Sequence, residues 1–191
     1  LSRYNLADAQ KLLPQNVRVV SNGIPDPCPD FAETIRPRRQ TRFALRARVL
    51  RGETLSPAEL EAADHPQVVR VLYLAHCMRE KGLFDAIEGV VFANRMLAEG
   101  NSPVRLKLFA AGVFVDSKER EEFDELLRDP ERARAVEAGG FVSGEAKARA
   151  FREADLFCFP TYYLGENQPV NIIEALAHGL PVVTTRWRSL P

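Results

Sequence analysis

Hydrophobic residues after residue 66 form continuous runs separated by helical stripes. The run Val68–Leu74 is apolar on both faces, as a central strand of a parallel sheet should be. Further strands are predicted at 106–110, 141–142, 155–159 and 181–184. Helices are predicted over a stripe from Leu83 to Leu97 and over 117–137, 145–153 and 169–178. Five strands alternating with helices indicate an α/β fold with a doubly wound parallel, Rossmann-like sheet.

Residues 1–66 lack this regular alternation of apolar runs and helical stripes. A short helix is predicted over 2–13 and a strand over 17–20, followed by a turn at 21–23. From residue 26 to 66 prolines are frequent, and seven arginines fall within the sixteen residues 36–51. Ser56-Pro57-Ala58-Glu59 is a helix-capping sequence. We interpret 26–66 as an Arg/Pro-rich insertion or linker with one or two short helices.

Composition narrows the class of protein. Lys plus Arg and Asp plus Glu both number 26, so the net charge of zero argues against a nucleic-acid partner. Three scattered cysteines are typical of reduced thiols in a cytoplasm. No apolar run approaches the roughly 20 residues of a membrane span, and we expect no signal peptide. Because the chain starts at Leu1 and stops at Pro191 directly after a strand-like run, we expect a fragment.

Two segments hold the candidate chemistry, because ligands of open parallel sheets bind beyond the carboxyl ends of the strands. The first, 75–82, places Arg79 and Lys81 at a helix start, where the helix dipole disfavours a cation. Either an anionic ligand binds there, or both residues are solvated surface charges. In the second, Glu174 lies in a mostly apolar helix. A buried carboxylate needs strong donors, and either ribose hydroxyls or a protein group could supply them.

A combination of motifs resembles the C-terminal domain of family 4 glycosyltransferases, the large retaining GT-B group. Its elements are Glu166 and Glu174 with seven residues between them, the following Ala-Leu-Ala-His-Gly-Leu-Pro-Val-Val, Lys81-Gly82, and Pro160-Thr161. The turn at 20–24 is similar to the Asn-Gly turn at that family's domain crossover. The resemblance implies a crossover segment over 1–25 from a missing N-terminal domain. It also implies a donor-binding domain over 67–191 that is incomplete at its C-terminus.

The resemblance implies a role for each matching position. Glu166 and Lys81 are the catalytic candidates: Glu166 lies beside the donor sugar, and Lys81 holds the diphosphate as its charge grows. Glu174 accepts hydrogen bonds from the ribose. Backbone groups around 141–143 meet the base, and amides near 170 and 171 hold phosphate. The donor-binding candidates are Glu174, His76, Arg79, Val142, Ser143, Asn167, Gln168, Val170 and Asn171.

The sequence departs from the family pattern at two places. Ala75-His76 stands where the family has Gly-Arg, so one diphosphate cation is absent, with His76 or Arg79 as substitutes. Pro169 stands where many members have a glycine whose N–H is free for phosphate. Both departures concern the details of phosphate binding, and the first keeps open an alternative function, a non-catalytic nucleotide- or phosphosugar-binding module of the same fold.

Expectations for partners follow from the same resemblance. We expect a nucleoside-diphosphate sugar as donor, a glycan or lipid-linked acceptor bound through the N-terminal domain, no nucleic acid, no cofactor and no metal. The arginine-rich stretch is interpreted as a solvated loop, with contact to anionic lipid head groups as its alternative. The expected location is the cytoplasm or the inner face of the membrane. His178 is interpreted as a helix C-terminal residue favoured by the dipole, and Cys77 and Cys158 as small buried hydrophobes.

Overall fold

Five strands form one parallel sheet, which confirms the predicted fold class. The computed structural model describes residues 6–12, 15–188 and 190. The strands are β1 (Val68–Leu74), β2 (Arg105–Ala111), β3 (Val136–Gly140), β4 (Leu156–Phe159) and β5 (Val182–Thr184). The α-helices are α1 (Leu6–Gln10), α2 (Arg36–Leu50), α3 (Pro57–Ala62), α4 (Leu83–Glu99), α5 (Ser117–Leu126), α6 (Pro130–Ala135), α7 (Gly144–Glu153) and α8 (Val170–Ala177). A short π-helix, Phe31–Ile35, leads directly into α2.

The strand order is β3-β2-β1-β4-β5, with all neighbours parallel. β1 pairs with β2 along its whole length, from Val68 opposite Arg105 to Leu74 opposite Ala111. After β3 the chain returns to the other side of β1, so the direction of winding reverses between β1 and β4. Such a switch point opens a crevice at the carboxyl ends of the strands.

The core lies between the sheet and its helices. Val71 and Leu72 of β1 are buried, as are Leu83 and Ile87 of α4. Fully burying an aliphatic side chain of this kind contributes about 1.5–3 kcal/mol. The apolar stripe predicted from Leu83 to Leu97 is thereby confirmed over its first part, and α4 packs mainly against β2.

β3 differs from the prediction. A strand was expected at 141–142, but β3 is Val136–Gly140, and Phe141 is 73% exposed. The sequence Val-Glu-Ala-Gly-Gly has one buried apolar residue and weak strand propensity. A Cβ atom at residue 139 would lie 2.4 Å from the Phe109 ring of β2, so glycine there lets this ring pack close to the β3 backbone. Pairing with β2 therefore makes the strand, which local pattern did not indicate.

The prediction of a single helix over 117–137 is wrong. The chain breaks between α5 and α6, where the Asp129 side chain accepts hydrogen bonds from the amides of Glu131 and Arg132. Pro130 occupies the first turn of α6, where its missing N–H is harmless. A strong cap followed by proline starts a new helix at this point.

The arginine-rich stretch is a helix and not the expected solvated loop. α2 projects Arg39, Arg42 and Arg46 onto the domain, and Arg42 is 4% exposed. Arg42 and Arg46 both contact the carboxylate of Asp155, at 3.3 and 2.9 Å. Burial lowers the pKa of the Arg42 guanidinium, and the Asp155 charge opposes this effect. The capping sequence predicted at Ser56 is confirmed as the start of α3.

The prediction of a strand over 17–20 is also wrong. These residues are irregular, with Val20 71% exposed, because no strand lies beside them in the described part of the chain. Of the helix predicted over 2–13, Leu6–Gln10 is helical, and residues 1–5 and 13 lie outside the described residues. Within the described ranges, no helix combines the length and apolarity needed to cross a bilayer.

Candidate functional site

A cleft of about 410 Å³ opens at the switch point of the sheet. Its floor is formed by the carboxyl ends of β1, β2 and β4, and its walls by the starts of α7 and α8. The residues that line it are Leu74, Ala75, His76, Lys81, Ala111, Gly112, Val113, Phe141, Val142, Lys147, Phe159, Glu166, Pro169, Val170, Asn171 and Glu174. Three separate sequence segments that carried the predicted motifs therefore meet in one place.

Close backbone approaches bring these segments together. Gly82 begins α4 with φ of 81°, and a Cβ atom there would lie 2.4 Å from the carbonyl oxygen of Pro160. Only glycine combines that conformation with that contact. On the cleft floor, a Cβ at Gly112 would lie 1.7 Å from the Ala75 carbonyl oxygen. Gly82 thus allows the start of α4 to pack closely against the residue that follows β4.

Glu166 is buried and forms an ion pair with Lys81. The Lys81 Nζ to Glu166 Oε2 distance is 2.8 Å, and Glu166 is 5% exposed. The Thr161 hydroxyl donates a second hydrogen bond to the same oxygen, at 3.1 Å. A buried carboxylate is costly unless it is paired and hydrogen-bonded, and Glu166 has both kinds of partner. The two catalytic candidates therefore contact each other directly.

Aromatic rings complete the surroundings of Lys81, and the sequence analysis missed them. The ammonium lies 4.4 Å from the centroid of the Tyr163 ring and 5.7 Å from that of Phe159. The Tyr163 carbonyl accepts from Trp187 Nε1 at 2.9 Å and from the Glu166 amide at 3.0 Å. These contacts hold the loop after β4 in place around a single cation.

Glu174 forms the second ion pair of the cleft. Its Oε1 atom lies 2.6 Å from Nζ of Lys147, which belongs to α7. The sequence analysis left open whether Glu174 contacts a ligand or a protein group. In the structure one of its two carboxylate oxygens is paired with a protein cation. Lys147 was not among the candidates. Its location in the opening turns of a helix, against the dipole, was the available signal.

The start of α8 offers backbone donors to the cleft. The Asn171 side chain bridges β1 and α8, donating to the Leu74 carbonyl at 2.8 Å and accepting from the Ile172 amide at 2.9 Å. The amides of Val170 and Asn171 donate to no group in the described part of the chain. Free amides at a helix start attract anions. Pro169 precedes them as the cap residue, so its lack of an N–H removes neither donor.

The structure does not bring all predicted residues to the cleft wall. His76, Val142, Val170 and Asn171 line it together with Lys81, Glu166 and Glu174. Four other candidates lie outside that lining, Arg79, Ser143, Asn167 and Gln168.

Two of these four contact parts of the chain that are distant in sequence. Arg79 is ion-paired with Glu122 of α5 and lies over the Phe84 ring. Gln168 bonds through its side-chain and main-chain oxygens to the amide and side chain of Asn22, at 2.6 and 2.7 Å. The Asn-Gly turn thus docks beside the start of α8.

Nearby titratable groups have structural roles. Tyr73 is fully buried and donates to the His76 carbonyl at 2.8 Å, and burial raises its pKa, so the phenol keeps its proton. Burial also raises the pKa of Cys77 and of Cys158 to about 11 each. Both cysteines therefore stay neutral thiols at physiological pH, and neither has the low pKa of a nucleophile.

His178 ends α8 but is not favoured there as a cation. It is 1% exposed and stacks on Phe151 with the ring centroids 5.0 Å apart. Its Nδ1 lies 2.8 Å from the Glu174 carbonyl, so Nδ1 carries the proton of the neutral ring. Burial lowers the pKa of His178, which corrects the dipole interpretation.

Residues 65–191 match the protein family described as glycosyl transferases group 1, which is more than half of the chain. No curated protein matches the sequence. Solved structures are similar in fold. A glycosyltransferase from Rickettsia africae ESF-5 superposes with a TM-score of 0.54 at 16% identity, covering 72% of this chain and 35% of that one.

Two further structures contain bound nucleotides. Anabaena Alr3699/HepE, in complex with UDP-glucose, gives a TM-score of 0.52 at 15% identity over 71% of this chain and 35% of that one. The catalytic domain of Starch Synthase IV from Arabidopsis thaliana, bound to ADP and acarbose, gives 0.52 at 16% identity over 83% and 28%. The chain thus spans about a third of the length of these proteins. At this identity the likeness shows the fold, that of a GT-B glycosyltransferase domain.

Proposed function

The chain belongs to the glycosyl transferases group 1 family, and from this premise we propose that its cleft binds a nucleoside-diphosphate sugar for retaining glycosyl transfer of the family 4 type. The observation that carries the proposal is the meeting of Lys81, Glu166 and Glu174 in one cleft at the switch point of the sheet. HepE is bound to UDP-glucose and the starch synthase to ADP, which supports a sugar nucleotide as donor.

The charges of the cleft suit this substrate. The free amides at the start of α8 and the ammonium of Lys81 are the donors for a diphosphate. Lys81 would stabilise the charge that develops on the leaving nucleoside diphosphate. Glu166, which contacts Lys81, would face the sugar that projects from the diphosphate. The Glu174 carboxylate would accept hydrogen bonds from the ribose, and the backbone near Val142 would meet the base.

Retention and the acceptor belong to the same proposal. The acceptor is a glycan or a lipid-linked glycan held by a preceding domain, and residues 1–25 would form the crossover from it. Orientation of the acceptor then depends on that domain, so the chain described here would bind donor and transfer little by itself. No step is assigned to a metal or a cofactor.

Replacement of Glu166 tests the proposal. With UDP-glucose and ADP-glucose as probes, Glu166→Gln in the full-length protein should lower turnover by orders of magnitude, measured as release of nucleoside diphosphate. Affinity for UDP or ADP alone should change little, because these ligands lack the sugar. NMR of the product should show the anomeric configuration of the donor.

Glu80→Gln is the matched control, since it removes an exposed carboxylate from the neighbouring loop. Its turnover should be normal. Normal turnover of Glu166→Gln with only a lower melting temperature would identify Glu166 as a structural residue and contradict the proposal. A wild-type protein that binds UDP or ADP without any turnover of sugar nucleotides would support a non-catalytic binding module instead. Ala75-His76 in place of the Gly-Arg pair is what favours that second candidate.

A further inference from the structure

The proposed function uses Glu174 but leaves its partner Lys147 without a role. Lys147 lies on α7 and Glu174 on α8, and the two side chains line the cleft together. Their 2.6 Å contact joins two helices that are separate in sequence. The question is what an ammonium does beside a carboxylate that a ligand is expected to contact.

Stability does not explain the pair well. The Lys147 side chain is 31% exposed, so solvent screens much of its attraction to Glu174. Lys147 also lies near the start of α7, where the helix dipole disfavours a positive charge and where Glu145 supplies the favoured negative one. The orientation that this contact gives to the Glu174 carboxylate is therefore more informative than its contribution to stability.

The contact divides the two oxygens of Glu174. Oε1 accepts from Lys147, whereas Oε2 has no partner among the described residues. A glutamate in an open cleft normally samples several rotamers, and ordering it opposes ligand binding. With one oxygen held, the carboxylate is already oriented and its second oxygen remains an acceptor for a ligand hydroxyl.

We propose that Lys147 is a positioning residue, which holds the Glu174 carboxylate in the orientation that accepts hydrogen bonds from the ribose hydroxyls of the donor. The inference rests on the proposed function. Lys147 acts through Glu174 and carries none of the diphosphate contacts, which belong to Lys81 and the amides of α8. Its contribution therefore depends on the ribose hydroxyls and not on the phosphates.

Calorimetry with UDP, ADP and their 2′,3′-dideoxy analogues tests this role. Lys147→Gln should weaken binding of whichever ribonucleotide binds by about tenfold, the scale of losing preorganisation of one side chain and part of a charged hydrogen bond. The dideoxy analogue should bind the variant and the wild type equally. Lys147→Arg, which keeps the charge and the donor, should restore most of the affinity.

Arg149→Gln is the control, because it removes an exposed cation two residues along the same helix and outside this cleft. It should leave all affinities unchanged. Thermal unfolding of each variant checks that α7 and α8 remain folded. In a Glu174→Gln background, the further change Lys147→Gln should have no added effect, since the residue to be positioned is already altered.

Each other outcome overturns the inference. Equal weakening for the ribonucleotide and its dideoxy analogue would place Lys147 on the phosphates or the base. Undiminished ribonucleotide affinity in Lys147→Gln would remove the role altogether, and a full effect in the Glu174→Gln background would show that Lys147 acts without Glu174. In these cases nucleotide binding by the wild type persists and the proposed function stands. If the wild type binds neither UDP nor ADP, the proposed function fails and the inference with it.

Discussion

Lys81 illustrates how one side chain is held before any ligand arrives. Its ammonium pairs with Glu166 at 2.8 Å and lies over the Tyr163 ring at 4.4 Å. A cation over an aromatic ring gains about 0.5–2 kcal/mol depending on desolvation. Together these contacts offset the unfavourable position of a lysine at a helix start. The charge is therefore already aimed at the cleft, which is the arrangement that stabilises developing charge most effectively.

Lys81→Ala should weaken binding of UDP or ADP by about 1.5–3 kcal/mol, the range for hydrogen bonds to a charged group. Binding of uridine or adenosine should change far less, because the ammonium contacts phosphate and not the nucleoside. Isothermal calorimetry with each pair of ligands measures the difference. Lys118→Ala, an exposed lysine of α5, is the control for general loss of charge. Equal losses for nucleotide and nucleoside would mean that Lys81 supports the fold of the loop instead.

Motif spacing predicted the principal members of the site but not their partners. The sequence predicted Lys81, Glu166 and Glu174 because they match the motif of a known family. Lys147 is 27 residues from Glu174, and their contact depends on how α7 and α8 are rotated about their axes. Such rotation is decided by packing on the sheet and leaves no local pattern. Tyr163 was missed for the same reason, since its ring meets a residue of α4's entry loop.

At the scale of elements, α2 shows how an arginine-rich helix can belong to a core. Arg39, Arg42 and Arg46 recur at helical spacing on one face, and they reach carbonyl groups at the ends of α7, α8 and the segment before β1. Each guanidinium satisfies acceptors that would otherwise be buried without donors. The count of arginines suggested solvation, whereas their spacing contained the signal of a buried face.

Arg42→Met should lower the free energy of unfolding by about 1–3 kcal/mol, because it leaves buried acceptors without a donor, although Asp155 keeps its contact with Arg46. The loss also frees the Glu153 carbonyl, 3.1 Å from Arg42 Nη1. Urea denaturation monitored by circular dichroism measures the change. Arg38→Met is a sensitive control: Arg38 contacts Asp64 at 3.5 Å but is half exposed, so its loss should change stability by at most about 1 kcal/mol. Similar effects of the two substitutions would contradict the structural role given to burial.

Elements with strong local signals were predicted well, and elements made by pairing were not. β1 and α4 carry continuous apolar patterns, and their bounds agree closely with the prediction. The prediction misplaced β3, because this strand is determined by backbone hydrogen bonds to β2 and not by its side chains. Residues 17–20 have strand-like composition but no neighbouring strand in the described part of the chain, so they stay irregular.

At the scale of the whole molecule, the cleft joins parts of the sheet that are far apart in the sequence. Its lining comes from three strand ends and from the starts of α7 and α8. The chain carries no net charge, so long-range attraction of an anionic ligand is weak and local cations must supply the affinity. A ligand that bridges these elements contacts surfaces that exist together only in the folded state. Nucleotide binding and global stability are therefore linked.

This linkage predicts the size of a thermal shift. At about 100 times its Kd, a nucleotide that binds only the folded state adds about 2.7 kcal/mol to stability. For a chain of this length, each kcal/mol raises the Tm by about 2–4 °C, so UDP or ADP should raise it by about 5–11 °C. Calorimetric titration fixes the Kd, and scanning calorimetry then measures the Tm, with inorganic phosphate at the same concentration as control. The shift should grow with the logarithm of ligand concentration, as mass action requires. An unchanged Tm at about 100 times the Kd would show that nucleotide binding does not depend on the folded state, and would contradict the linkage.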